Sequence, residues 1–271
     1  MEVFAGTAGL SHACAKAHIA CLPPIDIDAS ELVHVAVNIL EPGALEKVLR
    51  YLRSGIVAHV HFGTPCASFS MARKNDGGPP PLRSRTRVRG VCGLSAGDQE
   101  KVDIANKLLD ITVELARAAS GAGATWSIEN PASSLLWLDE AIKRLELGTG
   151  AVKVMIDMCQ FGAKFKKPTC LMTTSKGLRR MRRICPGKSR GHQHVELKGK
   201  VWDAKLRKLV FKTKKAQVYP PLFCKAFAEI LSRNELAGKG FEKFFDLTVK
   251  KRKRPVGQDY RHEPHKRAKT G

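Results

Sequence analysis

Three short segments of this chain hold residues whose types and spacing could do chemistry. Cys66 lies in His61-Phe62-Gly63-Thr64-Pro65-Cys66-Ala67-Ser68-Phe69-Ser70, where a buried apolar run ends in a loop stiffened by proline. A thiol presented by an electropositive loop gains a lowered pKa and nucleophilic character. The commoner fate of a lone cysteine is burial as a small hydrophobe, which suits Cys14 or Cys159 better than one flanked by Pro65 and Ser68. Glu129 lies in Trp126-Ser127-Ile128-Glu129-Asn130-Pro131. A carboxylate at a strand end there can protonate or hydrogen-bond a ring nitrogen, the alternative being a turn acid of no special role. The third segment is Phe4-Ala5-Gly6-Thr7-Ala8-Gly9-Leu10. Its glycines let backbone approach a ligand, and a following helix N-terminus favours negative charge. Asp26 and Asp28 end the next apolar run, where a carboxylate can accept hydrogen bonds from ribose hydroxyls.

A scaffold must bring these segments to one edge. Short apolar runs at 2–4, 25–28, 56–62, 124–128 and 152–158 read as strands. Helical periodicity marks 11–20 (with Ser11 as cap), Pro42–Arg53, 98–119, 134–145 and 221–231. Strands alternating with helices imply an α/β fold with a doubly wound, mainly parallel sheet, whose ligands sit beyond the carboxyl ends of the strands. Residues 72–97 break the rhythm: rich in Gly, Pro and Arg, with Arg83, Arg85, Arg87 and Arg89 in alternation, they read as a long loop.

Charge divides the chain more sharply than hydropathy does. Residues 1–172 carry 19 basic and 17 acidic side chains, whereas 173–271 carry 28 and 8. A near-neutral body with a basic last third points to an anionic polymer as partner, the bland alternative being a solvated tail. The expected organisation is a cofactor-binding and catalytic domain at 1–172 and a small basic insert at 173–217. A closing helix follows at 218–235, then a basic, disordered tail at 236–271. No uncharged apolar run approaches the roughly 18 residues that cross a bilayer, and no signal peptide is expected ahead of Val3. No membrane partner is expected, and the chain is expected to act as a monomer.

Eight cysteines without a secretory signal read as reduced thiols, and the absence of any CxxC pair excludes a zinc ribbon. Cys185, His192 and His194 in the basic insert could bind zinc, with Cys224, Cys170 or Cys159 completing the set. Solvated or phosphate-contacting histidines are the alternative. The run Lys250-Lys251-Arg252-Lys253-Arg254 resembles a nuclear localisation signal, with nonspecific phosphate contact as its alternative.

Taken in order, the three chemical segments resemble those of the DNA cytosine-5 methyltransferases, over roughly residues 2–232. That family has a phenylalanine–glycine cofactor turn (here Phe4, Gly6 and Gly9), a Pro-Cys nucleophile loop (Pro65-Cys66) and a Glu-Asn segment (Glu129-Asn130-Pro131). Asn38-Ile39 stands where the family has an Asp-Ile that touches adenine. Gln160-Phe161-Gly162 with Lys164, Lys166 and Lys167 resembles its arginine-bearing segment, and Tyr219-Pro220 with the following helix resembles its closing helix. Ala8 replaces the second turn glycine, Asn38 replaces the aspartate, and Lys167 and Thr169 replace paired arginines. The chain resembles a divergent, minimal member or a relative of mobile-element type.

The resemblance implies S-adenosylmethionine as cofactor, held by Phe4, Gly6, Gly9, Asp26, Ile27, Asn38, Ile39 and Pro65. It implies Cys66 attacking C6 of a flipped cytosine, Glu129 bonding N3 and the exocyclic amine, and Lys167 in the catalytic set. The loop 72–97 would close over the base, and no metal is required. The expected activity is methyl transfer to C5 of cytosine in DNA. A catalytically silent nucleic-acid-binding protein and an RNA methyltransferase are the alternatives.

Overall fold

Apolar and polar residues alternate along the two central strands, His59-Val60-His61-Phe62 and Thr125–Pro131, so one face of each buries apolar side chains and the other buries polar ones. The computed structural model describes residues 1–234 except 29, 31–32, 34–35, 72–79, 188–191, 198 and 204–206. Met1–Gly240 form one compact unit, and a second, Phe241–Gly271, lies outside the described residues. The strands are β1 (Glu2–Val3), β2 (His59–Phe62), β3 (Thr125–Pro131), β4 (Val152–Asp157) and β5 (Pro168–Thr173). Their order is β1-β2-β3-β5-β4. β1, β2 and β3 pair in parallel, while β5 runs antiparallel to both β3 and β4. The sheet is thus mostly parallel, as expected, with one reversed strand that the sequence reading did not separate from the lysine-rich segment before it.

The expected strand at 25–28 is reduced to one parallel bridge between Ile25 and Val3. From β1 the chain therefore passes to Ile25 on one side and later returns to β2 on the other. That makes β1 the topological switch point of the sheet, the position beyond which ligands bind in open α/β sheets.

The helices are α1 (Gly9–Lys16), α2 (Pro42–Arg53), α3 (Ala96–Gly121), α4 (Glu140–Thr149) and α5 (Pro221–Asn234). α2 has the expected bounds, with proline in its first turn, where a missing N–H costs nothing. α3 starts where Ser95 accepts from the Asp98 amide. α1 begins earlier than expected, entered through Ala8 in the left-handed region at φ 52°. Ser11 is therefore no cap: its amide and hydroxyl both donate to Glu2 Oε2, at 2.7 and 2.6 Å. The helix expected over 134–145 is broken into a 3-10 turn, Leu135–Leu138, and α4, because Asp139 stays extended and caps the Ala141 amide.

Two cores sandwich the sheet. Val60, Phe62, Trp126 and Ile128 pack with α2, α3 and α4 on one face. Leu171, Val154 and Ile156 pack with α1 and α5 on the other. Leu178 and Met181, from the 3-10 turn Gly177–Met181, are buried in the second core, so this stretch of the expected insert belongs to the body. Farther on, β6 (Lys200–Asp203) and β7 (Lys208–Phe211) form a separate antiparallel hairpin. No described helix is long and apolar enough to cross a membrane.

Candidate active site

Strand register decides which residues meet at the sheet edge. Val3 pairs with Phe62 and Phe62 with Ile128, so Phe4, Gly63 and Glu129 each stand one residue further along their strands. Glu129 and Asn130 are inside β3, not in a turn beyond it, because β5 continues the pairing to Pro131. The three chemical segments thus share one edge of the sheet. Gly63 is required there: a β-carbon at this position would lie 2.7 Å from the Phe4 carbonyl oxygen.

The loop carrying Cys66 is held from three directions. Asn130 Nδ2 donates to the Thr64 carbonyl at 2.7 Å, and Thr64 Oγ1 lies 3.1 Å from Thr112 Oγ1. The Phe69 amide closes a turn on the Cys66 carbonyl. Arg83 lies over the Phe69 ring at 3.8 Å and donates to Ser68 Oγ, Asn106 Oδ1 and the carbonyls of Val88 and Val102. Arg83 is buried, so the loop expected over 72–97 is anchored at this point. Arg89 anchors it again through paired contacts to Asp110 and Asp139. Two of the four alternating arginines are therefore structural, and Arg85 and Arg87 are exposed. Residues 72–79 lie outside the described residues.

Cys66 itself is half-buried. The thiol pKa is not lowered as expected. Burial pushes it up first, the negative charge of Glu129 adds to that, and Lys167 opposes it. The thiol thus lies within electrostatic reach of both groups.

Glu129 is buried between two partners. Lys167 Nζ contacts Oε1 at 3.2 Å, and the Tyr219 hydroxyl donates to Oε2 at 3.2 Å. Behind it runs a buried polar chain that the sequence reading missed. His61 Nε2 lies 3.1 Å from the Tyr219 hydroxyl and His61 Nδ1 2.8 Å from Ser127 Oγ. Ser127 Oγ lies 3.0 Å from His59 Nε2, and His59 Nδ1 2.8 Å from Thr125 Oγ1. One proton arrangement satisfies the sequence of contacts from His59 to Glu129: His59 Nε2–H to Ser127, Ser127 to His61 Nδ1, His61 Nε2–H to Tyr219, Tyr219 to Glu129. Both imidazoles are then neutral, as burial requires: His61 is pushed down to about 3 and His59 lies well below the usual range. Burial likewise raises Tyr219, and the Glu129 charge adds to it. The signal was present in His59-Val60-His61-Phe62, whose period of two puts both histidines on one face.

The residues expected at the cofactor divide into two groups. Phe4 and Gly6 adopt positive φ (57° and 54°), and the space beside Gly6 is open. Asp26 sits on the neighbouring segment and accepts from the Gly6 amide at 2.7 Å and the Asp28 amide at 3.0 Å, so it shapes the turn. Ile27 is 64% exposed, an apolar surface left uncovered next to Asp26. Gly9 opens α1, and a β-carbon there would approach Cys224 Sγ at 3.2 Å. Pro65 is half-buried beside Cys66. Asn38 Oδ1 accepts from the Leu40 amide, and Ile39 is buried in the first core. Cys185, His192 and His194 come together with Cys159, whereas Cys170 lies within the first core and Cys224 within the second.

No protein-family model matches this chain, and no curated protein is significantly similar to it.

Proposed function

We propose that this chain transfers a methyl group from S-adenosylmethionine to C5 of cytosine in DNA. The observation that carries the reading is the shared edge: a thiol after β2 and a buried carboxylate in β3, electrostatically coupled, beside an open glycine turn at the switch point. The residues fit the cofactor, because Phe4 and Gly6 make a left-handed turn with open space beside Gly6, Asp26 accepts from that turn, and the adjoining Ile27 leaves apolar surface uncovered. Once bound, S-adenosylmethionine supplies an electrophilic methyl group.

The roles of the chain's own residues follow from charge. Glu129, placed by Lys167 and Tyr219, bonds N3 and the exocyclic amine of an extruded cytosine. The proton lost from Cys66 passes to Glu129, which donates it to N3 while accepting from the exocyclic amine, and Lys167 stabilises the thiolate that remains. Cys66 Sγ forms a bond to C6, and the displaced electron pair makes C5 nucleophilic. C5 takes the methyl group, its proton leaves to solvent, and the C6–S bond breaks to return the thiolate. Arg83 is a positioning residue, acting through Ser68 and Phe69.

The hairpin supports a nucleic-acid substrate. Lys200, Trp202, Leu209 and Phe211 share one face by their register. Trp202 is 60% exposed, and Lys200 lies over the Phe211 ring. Exposed aromatic and cationic groups suit bases and phosphates. The run 250–254, outside the described residues, is proposed to direct the protein to the nucleus.

Incubation with methyl-labelled S-adenosylmethionine and either DNA or RNA tests the reading. Label at cytosine C5 of DNA is expected, and label in RNA alone would move the substrate class. DNA bearing 5-fluorocytosine should form a denaturation-resistant adduct that Cys66→Ser abolishes and Cys92→Ser does not. Trapping that persists without Cys66 would remove this mechanism.

A further inference from the structure

The ligand-capable atoms of Cys159, Cys185, His192 and His194 all lie within 4.8 Å of one another. They come from separate parts of the chain, joined by backbone contacts that need no metal. Cys159 lies in the 3-10 turn Met158–Phe161 that follows β4. Cys185 is brought to it by a bridge between Arg183 and Ile156 and by Asp157, whose Oδ2 accepts from the Cys185 amide at 2.7 Å. The histidine segment is brought back by the Val195 amide, which donates to the Lys164 carbonyl at 2.7 Å.

Geometry and chemistry agree on what this cluster would hold. Two thiols and two imidazoles are the donor set of structural zinc sites, with Zn–S of about 2.3 Å and Zn–N of about 2.0–2.1 Å in a tetrahedron. Those bond lengths require a sulfur–nitrogen edge of about 3.6 Å. Cys185 Sγ and His194 Nε2 are 3.6 Å apart. The two imidazoles stand edge to face, with ring centroids 4.5 Å apart and planes at 88°. His192 Nε2 is buried with no hydrogen-bond partner, a cost that a bond to metal or a proton relay would remove. The Gly187 amide already donates to Cys185 Sγ at 3.3 Å, as suits a sulfur that carries charge as thiolate.

We propose that Cys159, Cys185, His192 and His194 bind one zinc ion, which staples the basic segment after Arg182 to the end of β4. The segment needs such a staple: it holds few apolar residues, and Ile184 and Val195, the apolar side chains near its ends, are exposed. All four ligand positions are filled by protein, so the site is structural and leaves no open position for a substrate. The inference is independent of the chemistry proposed at Cys66.

The test uses the full chain, purified under reducing conditions, with metal content measured by mass spectrometry. One zinc ion per chain is expected. Cobalt(II) substitution should give thiolate-to-cobalt charge-transfer absorption and the ligand-field bands of a tetrahedral ion. Cys185→Ser and His194→Ala should each lower zinc retention at least tenfold, while Cys92→Ser, at an exposed thiol outside the cluster, keeps full content. Cys185→His preserves a ligand and should retain zinc, which separates lost ligation from lost folding. Chelation should speed proteolysis within 183–199 and leave α3 intact. Folded protein that takes up no zinc when reconstituted, an octahedral cobalt spectrum, or a Cys159–Cys185 disulfide under these conditions would each overturn the proposal.

Discussion

Lys167 Nζ stands 3.2 Å from Glu129 Oε1, while Tyr219 holds the other carboxylate oxygen. The contact crosses from the segment before β5 to the carboxyl-terminal half of β3. It places one positive and one negative charge within reach of Cys66, whose thiol responds to both.

That pairing predicts opposite effects of two substitutions on one thiol. Glu129→Gln removes a charge that raises the Cys66 pKa, so it should lower that pKa and speed alkylation near neutral pH. Lys167→Met removes the opposing charge and should raise it. The measurement is the pH dependence of iodoacetamide labelling at Cys66, read by peptide mass spectrometry. A change in the same direction for both variants would show that the thiol is not set by this pair.

Arg83 should matter to stability far more than its neighbours in sequence. Its buried guanidinium satisfies Ser68, Asn106 and two carbonyls and covers Phe69. Arg83→Ala should cost about 3 kcal/mol by leaving those acceptors unpaired. Arg83→Lys should recover little, because an ammonium cannot reproduce the planar fork. Arg85→Ala and Arg87→Ala, at exposed positions, should change stability by less than about 0.5 kcal/mol. Denaturant unfolding of the four variants decides this.

The two buried histidines make the fold acid-sensitive. In the folded state His59 lies well below its usual range and His61 is pushed down to about 3, so each stays neutral while the unfolded chain takes up protons below about pH 6.5. Their contribution is complete above that pH and is lost as pH falls toward the folded values. The slope should approach about 1.4 kcal/mol per pH unit for each histidine. His61→Gln keeps a polar partner for Tyr219 without a titrating ring and should remove about half of that slope between pH 6 and 4. Equal pH dependence in both proteins would refute the neutral assignment.

Affinity for nucleic acid should reside in residues 173–271, where 28 basic side chains face 8 acidic ones. If about six of them touch phosphate, affinity for duplex DNA should drop about a thousandfold between 50 and 200 mM salt. Deleting 236–271 should weaken binding and flatten that slope without altering cofactor affinity. Full affinity in a variant lacking the tail would place the contacts elsewhere.

Local patterns in the sequence were enough to determine the helices α2 and α3, the apolar runs of β2 and β4, and the chemical candidates Cys66 and Glu129. Apolar periodicity acts within a few residues, so it can be read without the fold, whereas the Ser11 side chain could be taken for a cap until Glu2 was brought beside it. β5 could not be read this way: its six residues earn their place only by pairing with β3 on one side and β4 on the other. The same holds for Arg83, whose charge pattern suggests a long basic loop until Ser68, Asn106 and Val102 are brought around it. Cys159 was one of three thiols that could have joined His192 and His194, and the bridge from Arg183 to Ile156 selects it. In each case the deciding contact joins residues distant in the chain, and only tertiary packing, which closes those separations at an entropic cost, determines which partners meet.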